Sequence, residues 1–212
     1  MKLLFFHAFA FLMPLLPVQL KYNSPTPADN TQNADAGSVK PHYVGEVYGG
    51  GVIFSIDEDD KNHGLIVSVD QLSSQAEWGP SKLIAGCDSR WDGASNTDAI
   101  MQNGGGNTDA AGLCANYSHE GFDDWYLPGI DELKDLGRNS TAVNKTLKSL
   151  AGAQLLNLIK PHWSSTQVSG GSNYDPAAKA YWSELEPSSI HAYGSYVGDK
   201  TLKFFVRAVR RF

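Results

Sequence analysis

Asp123-Asp124-Trp125-Tyr126-Leu127-Pro128-Gly129-Ile130-Asp131-Glu132-Leu133 decides the fold. Eleven residues hold a strand end, a fixed corner and a helix start. Pro128 cannot extend a central strand and suits the approach to a helix. Gly129 serves as the helix cap, and Glu132, three residues on, reaches back to it as half of a capping box. Ile130, Leu133 and Leu136 then recur at helical spacing. Trp125, Tyr126 and Leu127 are bulky enough to anchor a core, so the stretch reads as architecture. A ligand contact by Trp125 or Tyr126 is the alternative.

Working outward, the helix runs to Leu136 or Gly137. Asn139-Ser140-Thr141 then caps a second, from Val143 to Ile159, with a break at Gly152 and a stop at Pro161. Upstream, Val52-Ile53-Phe54-Ser55-Ile56 and Leu65-Ile66-Val67-Ser68-Val69 flank an acidic turn and form a hairpin. That turn lacks the spacing of a calcium loop. Residues 75–101 read as loop, with Trp78 and Trp91 among Gly, Asp and Ser. Asn-Thr-Asp occurs at 96–98 and again at 107–109. Either copy can cap a helix, and residues 108–117 suit a short one carrying Cys114. Downstream, strands are expected at 163–166, 180–183 and 204–209. Val206 and Val209 cannot share one alternation, so a bulge or strand end separates them.

The chain has 212 residues and a formal net charge of −6. Hydrophobic residues make up 42% and charged residues 19%, enough apolar material for a core and too little charge for a disordered chain. The acidic balance argues against a nucleic-acid partner, because counterion release needs a basic surface. Residues 1–20 carry Lys2 and an apolar run, Leu3 to Leu16. The run fits a secretory signal and falls short of the roughly 20 residues that span a bilayer. Export is predicted, with the segment removed or kept as an anchor. Residues 21–41 read as a polar linker and 42–212 as one ligand-binding domain. In an oxidising compartment Cys87 and Cys114 are candidates for a disulfide worth about 3 kcal/mol. Two buried free thiols are the alternative. Neither has a short-spaced metal partner, and no phosphate loop, zinc helix or nucleophile elbow is present. No cofactor, metal or catalytic residue is predicted.

Six motifs in order resemble one family. They are residues 43–54, His63-Gly64-Leu65-Ile66, Asp124 to Pro128 with Asp131-Glu132-Leu133, Trp163-Ser164-Ser165-Thr166, Ala180-Tyr181-Trp182, and Val206 to Arg210. The family is the domain named after the C-terminal region of the Legionella collagen-like protein, and the likeness covers residues 43–212. It implies an α+β fold, a single C-type-lectin-like domain with short antiparallel strands, two helices and long loops. Trp125, Leu127, Pro128, Trp163 and Trp182 would be structural. It also implies a secreted or cell-surface binding role, adhesin-like, and a homo-oligomer, the namesake resembling a trimer that binds sulfated glycans. This chain has no collagen-like repeat. It has Gly129 where a Ser or Thr cap is common, a change worth a few tenths of a kcal/mol.

Some similar domains vary their C-terminal loops. The corresponding ligand surface here is Asn173, Tyr174, Asp175, Tyr181, Ser183, His191, Tyr193, Ser195 and Tyr196, in loops rich in Tyr, Ser and Asn. The ligand would be an extracellular glycan or protein. Lys200, Lys203, Arg207, Arg210 and Arg211 would hold sulfate or pair as strand ends. Two alternatives stand beside this: a formylglycine-generating type of enzyme, which needs reactive cysteines, and a structural subunit of a surface assembly.

Overall fold

The computed structural model describes residues 40–169, 173–187 and 195–212; the predicted signal and nearly all of the linker lie outside them. In chain order the elements are β1 (Val47–Tyr48), β2 (Gly51–Ile56), β3 (Gly64–Ser68), β4 (Ser73–Ala76), α1 (Gly93–Gln102), α2 (Ala110–Ala115), α3 (Ile130–Leu147), β5 (His162–Gln167), β6 (Lys179–Ser183), β7 (Tyr196–Asp199), β8 (Phe204–Val206) and β9 (Val209–Arg211). They make an α+β unit with two sheets, ordered β1-β2-β3-β9 and β4-β8-β5-β6-β7. Neighbours are antiparallel except β5 and β8.

The Trp125–Pro128 corner joins the two sheets. Tyr126 exchanges both backbone hydrogen bonds with Val209 of β9, at 2.8 and 3.0 Å. Two residues on, the Pro128 carbonyl accepts from the Ser165 amide of β5 at 2.8 Å. Alternation then sorts the side chains between two cores. Trp125 and Leu127 enter one with Ile53, Ile66, Trp78 and Trp163; Tyr126 enters the other with Val52, Phe54, Val67 and the α3 stripe. Sheet β1-β2-β3-β9 is therefore buried on both faces at its centre, which is why β2 reads as a continuous apolar run rather than an alternating one.

Gly129 caps α3 as expected, its amide donating to Glu132 Oε2 at 2.7 Å. A side chain here is excluded by space: a Cβ would lie 2.6 Å from the Arg90 carbonyl. Three expectations change. First, α3 does not stop at Gly137 but runs on to Leu147. Gly137 lies inside the helix, where a Cβ would make ordinary contact with the Leu185 backbone at 3.5 Å, and Ser140 of the expected cap is buried mid-helix. The predicted second helix is thus the C-terminal part of α3, and residues 148–161 are irregular. Second, residues 93–102 form a helix capped by Asp92, whose side chain accepts from the Ser95 amide. Its buried face includes Asn96 and Thr97, so no apolar period marks it. With α2, which Asp109 caps, the described residues hold three helices rather than two. Third, β4 and β7 fall in polar stretches read as loops. Between Val206 and Val209 the chain changes sheets, and Arg207 and Ala208 make the crossing.

Cys87 and Cys114 are not bonded to each other. Both are free and buried in the core of Trp78 and Trp163. Cys87 Sγ donates to the Ile84 carbonyl at 3.4 Å, and Cys114 packs from α2 as a small apolar side chain. Burial raises the Cys87 thiol to about 11 and Cys114 well above its ordinary value. Both thiols should react with a chromogenic disulfide reagent at least about 100-fold more slowly in native than in denatured protein. Absorbance release over time measures this, and a fast native phase would contradict the burial.

Candidate functional site

The site starts from residues 89–92, a corner laid against the first turn of α3. Its backbone is fixed on every side. The Ser89 carbonyl accepts from Asn96 Nδ2 at 2.7 Å and Thr166 Oγ1 at 2.8 Å. The Arg90 carbonyl accepts from the Asp131 amide at 2.9 Å, and the Trp91 carbonyl from Arg211 Nη2 at 3.2 Å. Asp92 is the α1 cap. The buried polar face of α1 thus holds the corner in place, with Asn96 also reaching Ser165 Oγ at 3.2 Å.

From this corner Arg90 gathers the C-terminal loops. Its Nε and Nη2 donate to the two Asp131 oxygens, each at 2.7 Å. Nη2 also donates to Ser195 Oγ at 3.0 Å, and the guanidinium lies 5.6 Å from the Tyr181 ring centre. Lys134 donates to the same carboxylate at 3.0 Å. Burial pushes Asp131 upward, but the hydrogen bonds from Arg90 and Lys134 outweigh it and hold the carboxyl below its usual value. Nη1 of Arg90 makes no hydrogen bond to a described residue. The guanidinium, 41% exposed, is thus held in one orientation through Nε and Nη2.

The sequence-predicted ligand residues divide into groups. Tyr181 and Ser195 meet at Arg90. Tyr196 stacks on Trp182 with ring centres 4.6 Å apart, and Trp182 packs on Phe204. Asn173 and Tyr174 are exposed on the loop before β6. Asp175 shapes that loop, its carboxylate accepting from the Ala177 amide at 2.9 Å and its carbonyl from Lys179 at 3.0 Å. Ser183 is fully buried, its Oγ donating to the Glu184 carbonyl at 2.9 Å. It is thus a floor residue rather than a surface contact, because it sits on the β6 face turned to α3. His191 and Tyr193 lie outside the described residues. Trp125, Leu127 and Trp163 are core, as is Pro128 at the corner. Arg90 and Lys134 were not singled out by sequence reasoning, and Asp131 was named only as part of the central corner. Arg90 and Lys134 stand alone in polar stretches, and only the fold brings them to the C-terminal loops.

Four of the five C-terminal cations are engaged inside the fold. Lys200 and Arg207 are buried. Arg210 clasps Asp124 through Nε at 2.6 Å and Nη2 at 2.9 Å, over the Phe122 ring. Arg211 lies against Asp92 and Glu132 at 3.3 and 3.5 Å. Arg210 and Arg211 are thus paired strand ends, one of the two expectations for these residues. Lys203 and Arg211 are exposed.

No protein-family model and no curated protein matches the sequence. Among solved structures the fold is similar to that of a fimbrial protein from Bacteroides ovatus ATCC 8483. The TM-score is 0.51 at 13% identity, covering 75% of this chain and 43% of that one. The likeness is one of fold, and this chain matches less than half of the fimbrial protein's length. Among the described residues no helix is long and apolar enough to cross a membrane, and no group of three His, Cys, Asp or Glu side chains is placed to hold a metal.

Proposed function

We propose that this chain is a binding module displayed outside the cell, holding a glycan or protein ligand on the face built by Arg90, Tyr181 and Ser195. The observation that carries this reading is the convergence on Arg90. One part-exposed guanidinium, fixed by Asp131, meets the Tyr181 ring of β6 and the Ser195 hydroxyl just before β7. Rigid aromatics with adaptable hydroxyls suit ligand recognition at low ordering cost. The apolar leader at residues 3–16, the fold shared with a fimbrial protein and the motif order resembling the lectin-like Legionella domain agree with surface display. A formylglycine-generating activity is disfavoured, since it needs accessible low-pKa thiols and both thiols here are buried with raised pKa.

Binding of the exported chain to a glycan array at low and high salt tests the proposal. Retained binding at high salt is expected, because the C-terminal cations are engaged internally. Arg90→Ala should weaken binding at least about tenfold while changing stability by no more than about 1 kcal/mol, as for a part-exposed ion pair. A ligand bound equally well by Arg90→Ala would overturn the assignment of this face.

A second reading, a structural subunit of a surface assembly, is favoured by the fimbrial likeness. Light scattering tests it. An obligate assembly subunit forms defined oligomers at micromolar concentration, so a chain that stays monomeric there excludes this second reading.

A further inference from the structure

The same corner carries a second large side chain, and it is exposed. Trp91 is 56% accessible, although its backbone is held by Arg211 and by its neighbours' contacts with Asp131 and Ser89. An indole fixed at its base and open to water stands at the rim of a groove of about 430 Å³, within the range of about 300–1,000 Å³ that small-ligand sites occupy. Phe212 forms an aromatic wall, its ring 5.2 Å from His42 and 5.3 Å from Tyr48 by centroids. The polar lining comes from Asp57, His63, Asp135 and Arg211.

The charges in the groove select among occupants. His63 Nδ1 donates to the Phe212 carbonyl at 3.0 Å, which orients the ring. Arg211 is paired with Asp92 and with Glu132, which also lines the groove. Burial raises the Asp135 carboxyl, and Arg138 pairs with it. The lining thus offers the Asp57 and Asp135 carboxylates beside one exposed cation, Arg211, which is paired through Nη2. The carboxylates outnumber that cation, which favours an uncharged ligand over a sulfated or carboxylated one. Hydroxyl donors are matched, because a carboxylate accepts from neighbouring hydroxyls. The apolar C–H face of a sugar ring matches the indole.

We propose that the Trp91 groove is a saccharide subsite for an uncharged pyranose, its ring face on Trp91 and its hydroxyls on Asp57 and Asp135. The inference rests on the reading of the chain as an exported binding module, but not on the Arg90 face. The two surfaces share only the fixed corner at residues 89–92.

The test is titration of the full chain with a panel of uncharged methyl pyranosides and disaccharides, followed by calorimetry and by saturation transfer from protein to sugar protons. Saturable binding at about 1 mM is expected for the best member. Trp91→Ala should weaken it at least tenfold with no change in melting temperature, since the side chain is solvent-facing. Asp135→Asn should weaken it less. Leu83→Ala, an exposed side chain that lines neither surface, should leave it unchanged, so equal weakening in that variant overturns this subsite. No saturable binding by the wild type, equal binding by Trp91→Ala, or a sulfated sugar or a lysine-rich peptide preferred over every uncharged sugar would each overturn the proposal.

Discussion

Glu132→Ala should lower the unfolding free energy by about 4 kcal/mol, a large share of the 5–15 kcal/mol typical of a domain. Glu132 is 2% exposed and its carboxylate serves three elements. Oε2 accepts from the Gly129 amide at 2.7 Å and from the Gly93 amide at 3.2 Å, so one oxygen satisfies the first turns of both α3 and α1. Oε1 accepts from the Tyr126 hydroxyl at 3.1 Å and faces Arg211 at 3.5 Å. Alanine strands two buried amides and a buried hydroxyl, each costing about 1–3 kcal/mol. Some of that is recovered as Arg211 turns to Asp92. Gly129 has no side chain to substitute as a cap. Glu132→Gln keeps an acceptor and should lose less than about 2 kcal/mol. Denaturant unfolding of both variants checks the ranking. The pH dependence adds a sign. Burial raises Glu132 above its ordinary 4.5, so the native state holds the proton more tightly than the unfolded chain. The stability this contributes is complete below about pH 4.5 and is lost as pH rises through the higher native value. The advantage of wild type over Glu132→Gln should therefore narrow between mildly acidic and neutral pH. An advantage that widens would contradict the direction of the shift.

The central corner was legible because each of its residues obeys a local rule. Pro128 cannot sit mid-strand, Gly129 and Glu132 make half a capping box, and Ile130, Leu133 and Leu136 keep a helical period. The hairpin from Gly51 to Ser68 was legible for the same reason. Where tertiary contact replaces a local rule, the sequence is silent or misleading. Gly137 carries the signature of a helix stop, yet the helix runs through it because Ser140, Val143 and Leu147 continue the buried face beyond it. Helix α1 has no apolar stripe because Asn96 and Thr97 turn inward to bond Ser89, Ser165 and Leu127. Edge strand β7 follows a glycine- and serine-rich stretch that reads as loop. The site follows the same division. Tyr181, Ser195 and Tyr196 could be selected by loop composition. Arg90 could not, because its partners lie 41 and 105 residues away in sequence. Trp91 was visible as an aromatic in a polar loop, but its exposure is a property of the fold.

Lys200→Ala should cost about 3 kcal/mol, whereas Lys200→Met should stay within about 1 kcal/mol of wild type at neutral pH. Lys200 is fully buried. Its Nζ donates to Gln167 Oε1 at 2.7 Å and to the Lys82 carbonyl at 2.8 Å, and lies 4.3 Å from the Trp78 ring centre. Gln167 in turn bonds both backbone groups of Ile84, at 3.1 Å each. One lysine thus ties the stretch from Lys82 to Cys87 onto the end of β5. Alanine empties the slot beside Trp78 and releases that tie. Methionine refills the slot, and Gln167 keeps its bonds to Ile84. Methionine also removes the penalty of burying an ammonium with no carboxylate hydrogen-bonded to it among the described residues. That penalty shows in the lysine itself: burial lowers it from 10.5 to about 8. The unfolded chain therefore binds the extra proton between those values, and wild-type stability must rise with pH across that window. The size is about 3 kcal/mol, from about 1.4 kcal/mol per tenfold change. Lys200→Met lacks the group, so its stability should not share the rise. Denaturant midpoints for the two proteins from pH 7 to 10.5 should separate in favour of wild type as pH increases. Parallel curves would mean that the ammonium is solvated through an opening near Lys82, and the stretch at 82–87 would then have to be held by Gln167 alone.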